Sequence, residues 1–339
     1  MLIGKQSWIF QSKPAIIATG VSGGPFEREG LLPEAFDILH DDLWMEEPSY
    51  EQAHRLLIEE AVKVALKKAN LTNEDIQFII AGDLINQITP TSFAARTLGI
   101  PYFGIFGACS TSMEGLALSA FIVNNKGANY IVTGAASHNA AAERQFRYPT
   151  EYGGQKPPTA QWTVTGAGFA IVSHSTPNQT EFPKITCATI GKVVDLGISD
   201  PFNMGGAMAP AAVDTIKTHL KDTGRKITDY DLIVTGDLGK IGYSVALDLL
   251  HGDGLNIPEE KFKDCGLLLY RDDQPVQAGA SGAASSATVI YGHLLKQMKA
   301  GVYKKILCVA TGALLSPLTV QQKETIPCIA HAVSIEMDS

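Results

Sequence analysis

Gly107-Ala108-Cys109-Ser110-Thr111 stands between a short apolar run, residues 102–106, and a long stretch rich in small residues, 111–125. The run reads as a strand and the stretch as a helix, so two small residues make a sharp turn and leave Cys109 at the helix N-terminus. The positive end of the helix macrodipole is expected to lower a thiol pKa there and to favour thiolate, which is where an enzyme would put a nucleophile. Within the helix, Gly115, Ala117, Ser119 and Ala120 sit beside Leu116, Leu118, Phe121 and Ile122. That pattern has no polar face and predicts burial all round. Upstream, Ser49 and Gln52 read as a capping box opening a helix to Ala69, its apolar side carried by Leu56, Leu57, Ala61, Val64 and Leu66. A turn over 70–73, a strand over 76–81 and a short helix over 94–98 follow, and a further strand is predicted over 130–133. Alternating strands and helices predict an α/β chain.

The second half repeats this order. Ala61-Val62, Asp75-Ile76 and Gly82-Asp83-Leu84 are matched by Ala212-Val213, Asp231-Leu232 and Gly236-Asp237-Leu238. The helix from Thr111, the strand after it and Gly134-Ala135 are matched by residues 283–300, 306–310 and Gly312-Ala313. Landmarks recurring in one order predict an internal duplication. The Ser, Thr, Pro and Asn cluster over 174–183 places the boundary, giving halves 1–178 and 179–339.

Composition narrows the function classes. With 45% apolar and 18% charged residues and 32 glycines, the 339-residue chain is less charged than the roughly 25% of an ordinary soluble protein, so a large core is expected and disorder is excluded. Twenty-seven Lys and Arg against 35 Asp and Glu, with no basic block, argue against a nucleic-acid or anionic-lipid surface. No apolar run reaches the 18 or so residues of a membrane span, and no signal peptide is read at the start. Five scattered cysteines lack zinc spacing and read mostly as small buried thiols in a reducing compartment. No D-x-D-x-D-G loop nominates a calcium site, so neither metal nor cofactor is expected from the residues.

The duplicated chain, the G-A-C-S turn into a buried helix, the second small-residue helix opening at Gly279-Ala280-Ser281-Gly282-Ala283-Ala284 and the glycine-rich Val164-Thr165-Gly166-Ala167-Gly168 together resemble the thiolase fold, whose superfamily includes the β-ketoacyl synthases. The resemblance implies a thiolase-like, five-layered α-β-α-β-α architecture with two sheets enclosing a helical layer, and homodimers formed through the first-half sheet. In such synthases a cysteine is acylated while a histidine and a second His or Asn hold the thioester oxygen, donors each worth about 3 to 4 kcal/mol. Where the first donor would stand, the chain reads Thr235-Gly236-Asp237; where the second would stand, the turn carries Ala280. Gly236 and Ala280 in place of those donors imply a catalytically degenerate relative. Between Arg28 and Arg55 the sequence is acidic throughout, from Glu29 to Glu51, which would repel the phosphates of a coenzyme or carrier protein at a tunnel mouth.

A pocket without that chemistry is still expected. Helix N-termini at Cys109 and Ser281 would aim N–H groups into it and favour a carboxylate. The candidate ligand-binding residues are Cys109, Ser110, His138, Asp237, Lys240, Ala280, Ser281 and Gly312, with Ser137 and Asn139 beside His138 and with Arg144 and Arg147 as further cations. The Gly107–Thr111 turn, the missing histidine and the length also resemble the stage V sporulation AD family of endospore formers. That resemblance implies binding of dipicolinic acid or its calcium chelate, support of its uptake into the forespore with companion membrane proteins, and a peripheral place on the cytoplasmic face of the forespore inner membrane. Two alternatives stand beside it: an acyl-transferase or thioester hydrolase using Cys109, and a scaffold subunit that binds nothing.

Overall fold

A computed structural model describes residues 1–146, 156–175 and 180–338. The first unit runs β1 (Ala15–Gly23), α1 (Tyr50–Ala69), β2 (Phe78–Gly82), α2 (Thr89–Leu98), β3 (Tyr102–Gly104), α3 (Thr111–Asn124), β4 (Tyr130–Ser137) and β5 (Gly166–Ser173). The second runs β6 (Lys184–Thr189), α4 (Met204–Thr223), β7 (Leu232–Thr235), α5 (Gly239–Gly252), β8 (Phe262–Asp264), α6 (Ala283–Thr288), β9 (Lys305–Ala313) and β10 (Cys328–Glu336). After α6 the helix continues through a π-helical turn, Val289–Leu294, to Lys299.

The strand order is β3-β2-β4-β5-β1 in the first unit and β8-β7-β9-β10-β6 in the second, the same path walked twice. β4 pairs parallel with β2 and antiparallel with β5, as β9 pairs with β7 and β10. The two sheets are not separate. Ala15 of β1 pairs with Lys184 of β6, so the hydrogen-bonded ladder passes from one unit to the other at a single residue pair. The boundary expected between residues 178 and 179 lies outside the described residues.

Strand alternation decides the layers. In β4, Ile131 and Ala135 enter the central core, whereas Val132 and Ala136 face α1. In β9, Ile306, Cys308 and Ala310 face the centre, whereas Leu307 and Val309 face α4 and α5. Strands buried on both faces must be apolar continuously, which is why they read as unbroken runs. Met113, Leu116, Ala117 and Ala120 of α3 meet Ala283, Ala284 and Ala287 of α6 in that centre, and Ser112 and Ser286 hydrogen-bond across the helices at 2.7 Å. The result is the five-layered thiolase-like arrangement: α1 and α2 outside, one sheet, α3 and α6, the other sheet, α4 and α5 outside. All five cysteines are buried free thiols. Among the described residues no helix is long and apolar enough to cross a membrane.

The differences from the expected elements are local. The strand expected at 76–81 begins at Phe78, because Thr72 and Asp75 cap each other around a 3-10 turn that occupies Asn73–Asp75. The helix expected at 94–98 begins at Thr89, with Pro90 in its first turn, where a missing N–H costs nothing. The strand expected at 130–133 runs on to Ser137. The far end of α3 reaches the surface, leaving Phe121 37% exposed. α1 keeps its expected bounds: Ser49 Oγ accepts the Gln52 N–H at 3.2 Å, and Asn70 closes the other end in the left-handed region at φ 54°. Replacing Ser49 by Ala removes one of the two acceptors of the Gln52 N–H, the other being Ser49 O at 3.1 Å, and should cost about 0.5 to 1 kcal/mol in urea unfolding; a change under a few tenths would mean that the backbone acceptor alone suffices.

Candidate functional site

Cys109 rides on a 3-10 turn, Ala108–Ser110, at the head of α3. The turn is tight enough to put Ala108 at φ 51°, a left-handed conformation that side chains avoid. Four local bonds hold it. Ser110 N and Oγ both donate to Gly107 O, at 3.0 and 2.6 Å, Thr111 Oγ1 donates to Ala108 O at 2.7 Å, and Gly107 N donates to Thr111 Oγ1 at 3.1 Å. The thiol lines a cavity of about 360 Å³ whose polar floor also includes Ser281 and Thr163. The walls are apolar: Leu84, Phe106, Phe146, Phe202, Leu315 and Val320. Among the described residues, no charged side chain and no histidine lines it.

Beneath the floor lies Asp237, two residues past the end of β7 and fully buried. Thr311 donates to its Oδ1 at 2.8 Å, Gly282 N to its Oδ2 at 3.0 Å, Ser281 Oγ approaches Oδ2 at 3.4 Å, and the Cys109 thiol donates to the same carboxylate. Burial pushes Asp237 up to about 7, against the Cys109, Thr311 and Gly282 donors and with the Asp264 carboxylate adding to the rise. Asp264, at the end of β8, accepts Thr235 Oγ1 at 2.7 Å and the N–H groups of Leu238 and Gly239 at 2.9 and 3.1 Å. It pins the loop that carries Asp237, and its own pKa is raised by burial.

The expected low-pKa thiol is therefore corrected. Burial, then the charge of Asp237 and the hydrogen bond to it, hold Cys109 well above the ordinary thiol range. The Gly282 N–H and the Ser281 hydroxyl pull the other way and lose. A half-charge at a helix terminus cannot match a carboxylate in direct contact without water. The expectation that both helix N-termini aim free N–H groups into the cavity is narrowed, because Gly282 N donates to Asp237, Ala284 N to Ser137 Oγ at 3.2 Å and Ser110 N to Gly107 O.

The structure brings Cys109 and Ser281 together on the cavity floor with Asp237 under both. It sends His138 elsewhere. With β4 running to Ser137, that hydroxyl faces the centre and donates to Val164 O at 2.7 Å, so the next side chain faces the outer layer. His138 Nε2 meets Leu43 O at 2.9 Å, and its ring lies 5.5 Å from Tyr50 and 6.3 Å from His54. Asn139 instead braces the floor, donating to Thr163 O at 3.2 Å. Ser110 is spent on its own turn, Lys240 is exposed at the start of α5, and Arg144 pairs with Glu51 at 3.8 Å on the surface. Ala280 is buried against Trp162 and Gln161, and Gly312 presses its backbone on the turn below Cys109; neither lines the cavity. Arg147 lies outside the described residues.

The acidic stretch is no mouth either. Asp37 pairs with Lys68, Asp41 with Arg28, and none of these acids lines the cavity. Sequence reasoning missed Asp264, Thr163 and the apolar walls. Asp264 had a signal, an acid at the end of a strand and before a helix; the walls come from separate loops and helix ends and had none.

A family model described as Stage V sporulation protein AD matches residues 4–336. The Stage V sporulation protein AD of Bacillus subtilis (strain 168) is 52% identical over 335 residues, covering 99% of this chain and 98% of that protein. Among solved structures, 3-oxoacyl-[acyl-carrier-protein] synthase III from Aquifex aeolicus VF5 superposes with a TM-score of 0.61 at 18% identity, covering 95% of this chain and 99% of its own. Human mitochondrial 3-ketoacyl-CoA thiolase gives 0.60 at 14% identity, covering 97% and 100%. A variant of OleA from Xanthomonas campestris gives 0.63 at 13%, covering 98% and 100%. At these identities the three structures share the fold.

Proposed function

The chain belongs to the stage V sporulation protein AD family, and from that membership we propose that it is a sporulation binding protein whose thiolase-type pocket takes dipicolinic acid, free or as its calcium chelate. One observation carries the choice of binder over enzyme: the Cys109 thiol is buried, held protonated and hydrogen-bonded to a carboxylate, in a cavity that no histidine or cation lines among the described residues. A nucleophile needs a lowered pKa or a base able to take its proton, and burial leaves this thiol far less acidic than the Asp237 carboxyl beside it. Glycine at 236 and alanine at 280, where the family's donors would stand, support the same degeneracy.

Dipicolinate is a flat pyridine ring with two carboxylates. A cavity of about 360 Å³ with aromatic and aliphatic walls and a hydroxyl and thiol floor suits a planar ring that meets polar groups at one end. Uptake into the forespore, at the cytoplasmic face of its inner membrane and with companion membrane proteins, comes with the family resemblance. Pairing of two copies is supported by the edge strand β3, one side of whose backbone is unpaired among the described residues and which exposes Phe103 and, just beyond it, Phe106, half of each to solvent.

Calorimetric titration with dipicolinate, with and without calcium, tests the reading. Saturable binding is expected, and Ala313→Phe, which fills the cavity from its wall, should weaken it at least tenfold with the circular dichroism spectrum unchanged. Absence of saturable heat would leave the scaffold alternative. Incubation with acetyl coenzyme A should leave the intact mass unaltered; an acyl adduct on Cys109 would restore the enzyme.

A further inference from the structure

We propose that an anionic ligand enters this cavity together with one proton, which is taken up by Asp237. The inference rests on the binding reading and concerns how the site pays the electrostatic cost of its ligand.

Asp237 contacts two of the three polar groups of the floor, Cys109 and Ser281, which a ligand carboxylate would meet. The titratable groups facing it are Cys109 from the turn before α3, Asp264 from β8, Cys265 just after it and Cys328 from β10. None is a cation, and no cation lines the cavity among the described residues. Its four partners, Thr311 Oγ1, Gly282 N, Ser281 Oγ and the Cys109 thiol, are neutral donors. A ligand carboxylate arriving at Ser281 and Cys109 is then a second negative charge beside the first, in a space shielded from water. Two carboxylates in such a site do not both stay ionised: one takes a proton.

The carboxyl that yields is Asp237. An aromatic carboxylic acid is a stronger acid than a buried aspartate, and burial already puts Asp237 near neutrality, at about 7. One proton from solvent binds a carboxylate oxygen of Asp237, and nothing else is made or broken. Protonation also releases Ser281 and Cys109. Their O–H and S–H groups, which now donate to Asp237, become free to donate to the ligand, while the new Asp237 O–H supplies a donor of its own.

The pH dependence follows in sign. Above about pH 7 the free site is ionised and the occupied one is not, so affinity falls by up to tenfold for each unit of rising pH. Below it the free site is already protonated, and affinity is flat. A calcium ion carried in with the ligand cancels the same charge, so the chelate needs less of the proton.

The test is calorimetry on the full chain with sodium dipicolinate, free of calcium, in phosphate and in Tris, since the dependence of heat on buffer ionisation counts protons. About one proton per ligand is expected near pH 8 and about none near pH 6, with the pH 8 count falling when calcium is added in equal amount. Asp237→Asn should bind without uptake and without pH dependence, while Cys109→Ser should keep the uptake. If Asp237→Asn does not fold, the wild-type infrared difference spectrum with and without ligand should gain a protonated-carboxyl band. Binding with no proton near pH 8, uptake that survives in Asp237→Asn, or uptake lost in Cys109→Ser would each overturn the inference and leave binding standing. No heat in any buffer would overturn the binding reading itself, and this inference with it.

Discussion

Gly312→Ala is expected to cost about 3 kcal/mol of stability and to abolish ligand binding in whatever fraction remains folded. A Cβ at Gly312 would stand 2.2 Å from Gly107 O, 3.1 Å from Ser110 N and 3.2 Å from Ser110 Oγ. Two of these are backbone atoms of the turn beneath Cys109, and the third is tied to that turn by a 2.6 Å bond. No flexible side chain can swing aside, so either β9 or the turn must move. Moving the turn breaks the two hydrogen bonds on Gly107 O and shifts the thiol off the cavity floor; moving β9 disturbs Ala313 in the wall and the Thr311 bond to Asp237. Overpacking of this kind commonly costs about 1 to 3 kcal/mol, and a backbone-to-backbone clash belongs at the upper end. Gly252→Ala is the control, since nothing lies within 4 Å of a Cβ there and the position closes a helix. It should be neutral or stabilising by a few tenths of a kcal/mol. Urea unfolding of both variants decides it, and a loss below about 1 kcal/mol for Gly312→Ala would mean that the turn is far softer than its hydrogen bonds imply.

That contact also explains how much of the molecule its sequence discloses. The Gly-Ala landmarks that repeat between halves mark strand ends where backbones come close, and such places tolerate few residue types. Gly134 is the counterpart, with a Cβ that would meet Gly168 O at 2.2 Å. Small residues at fixed intervals and strands buried on both faces leave strong patterns, so the duplication, the layers and the bounds of α1 and α3 could be read from the chain. The site was less legible because its chemistry depends on distances across the fold. A dipole argument for Cys109 uses only its own helix, whereas the group that governs the thiol is Asp237, on a loop held by Asp264. His138 lies away from the cavity for a different reason. Its side depends on the parity of a strand, and β4 runs four residues beyond its expected end at 133, carrying the alternation to Ser137. Leu84 and Phe202, from two loops, and Val320, from the short helix Pro317–Gln321, meet at one cavity, and no local periodicity announces that.

Stability is expected to stay nearly level from about pH 7 to 5 and then to collapse below about 4.5, because two sets of buried groups oppose each other. Burial lowers His54 and His331 to about 4 and His138 and His219 to about 3. The histidines are neutral in the folded chain and charge in the unfolded one, so each removes stability as pH falls from 6.5 towards its folded value. His219 has the clearest reason to stay neutral: its ring nitrogens hold Thr189 Oγ1 at 2.8 Å and Tyr230 OH at 2.7 Å, and Arg225 adds repulsion to desolvation. The buried acids act in the other direction. Glu27 and Asp237 are raised to about 7 and Asp83 to about 6, all chiefly by burial, so the folded chain holds their protons more tightly and gains stability as pH falls from 7 towards 4. The two slopes largely cancel until the acids are protonated in both states. Below that point each histidine costs about 1.4 kcal/mol per pH unit until its folded value is reached, and acids the fold holds low, such as Glu336 beside Arg225, add to the loss. Removing one acid should expose the hidden slope. Glu27 takes the hydroxyl of Tyr270 and the N–H of Thr165, and Glu27→Gln keeps an acceptor there but cannot titrate. The variant should lose about 2 kcal/mol between pH 7 and 5 where the wild type stays level. Urea unfolding at pH steps through this range measures both, and a wild type that weakens steadily from pH 6.5 downward would show that the buried acids do not hold their protons as described.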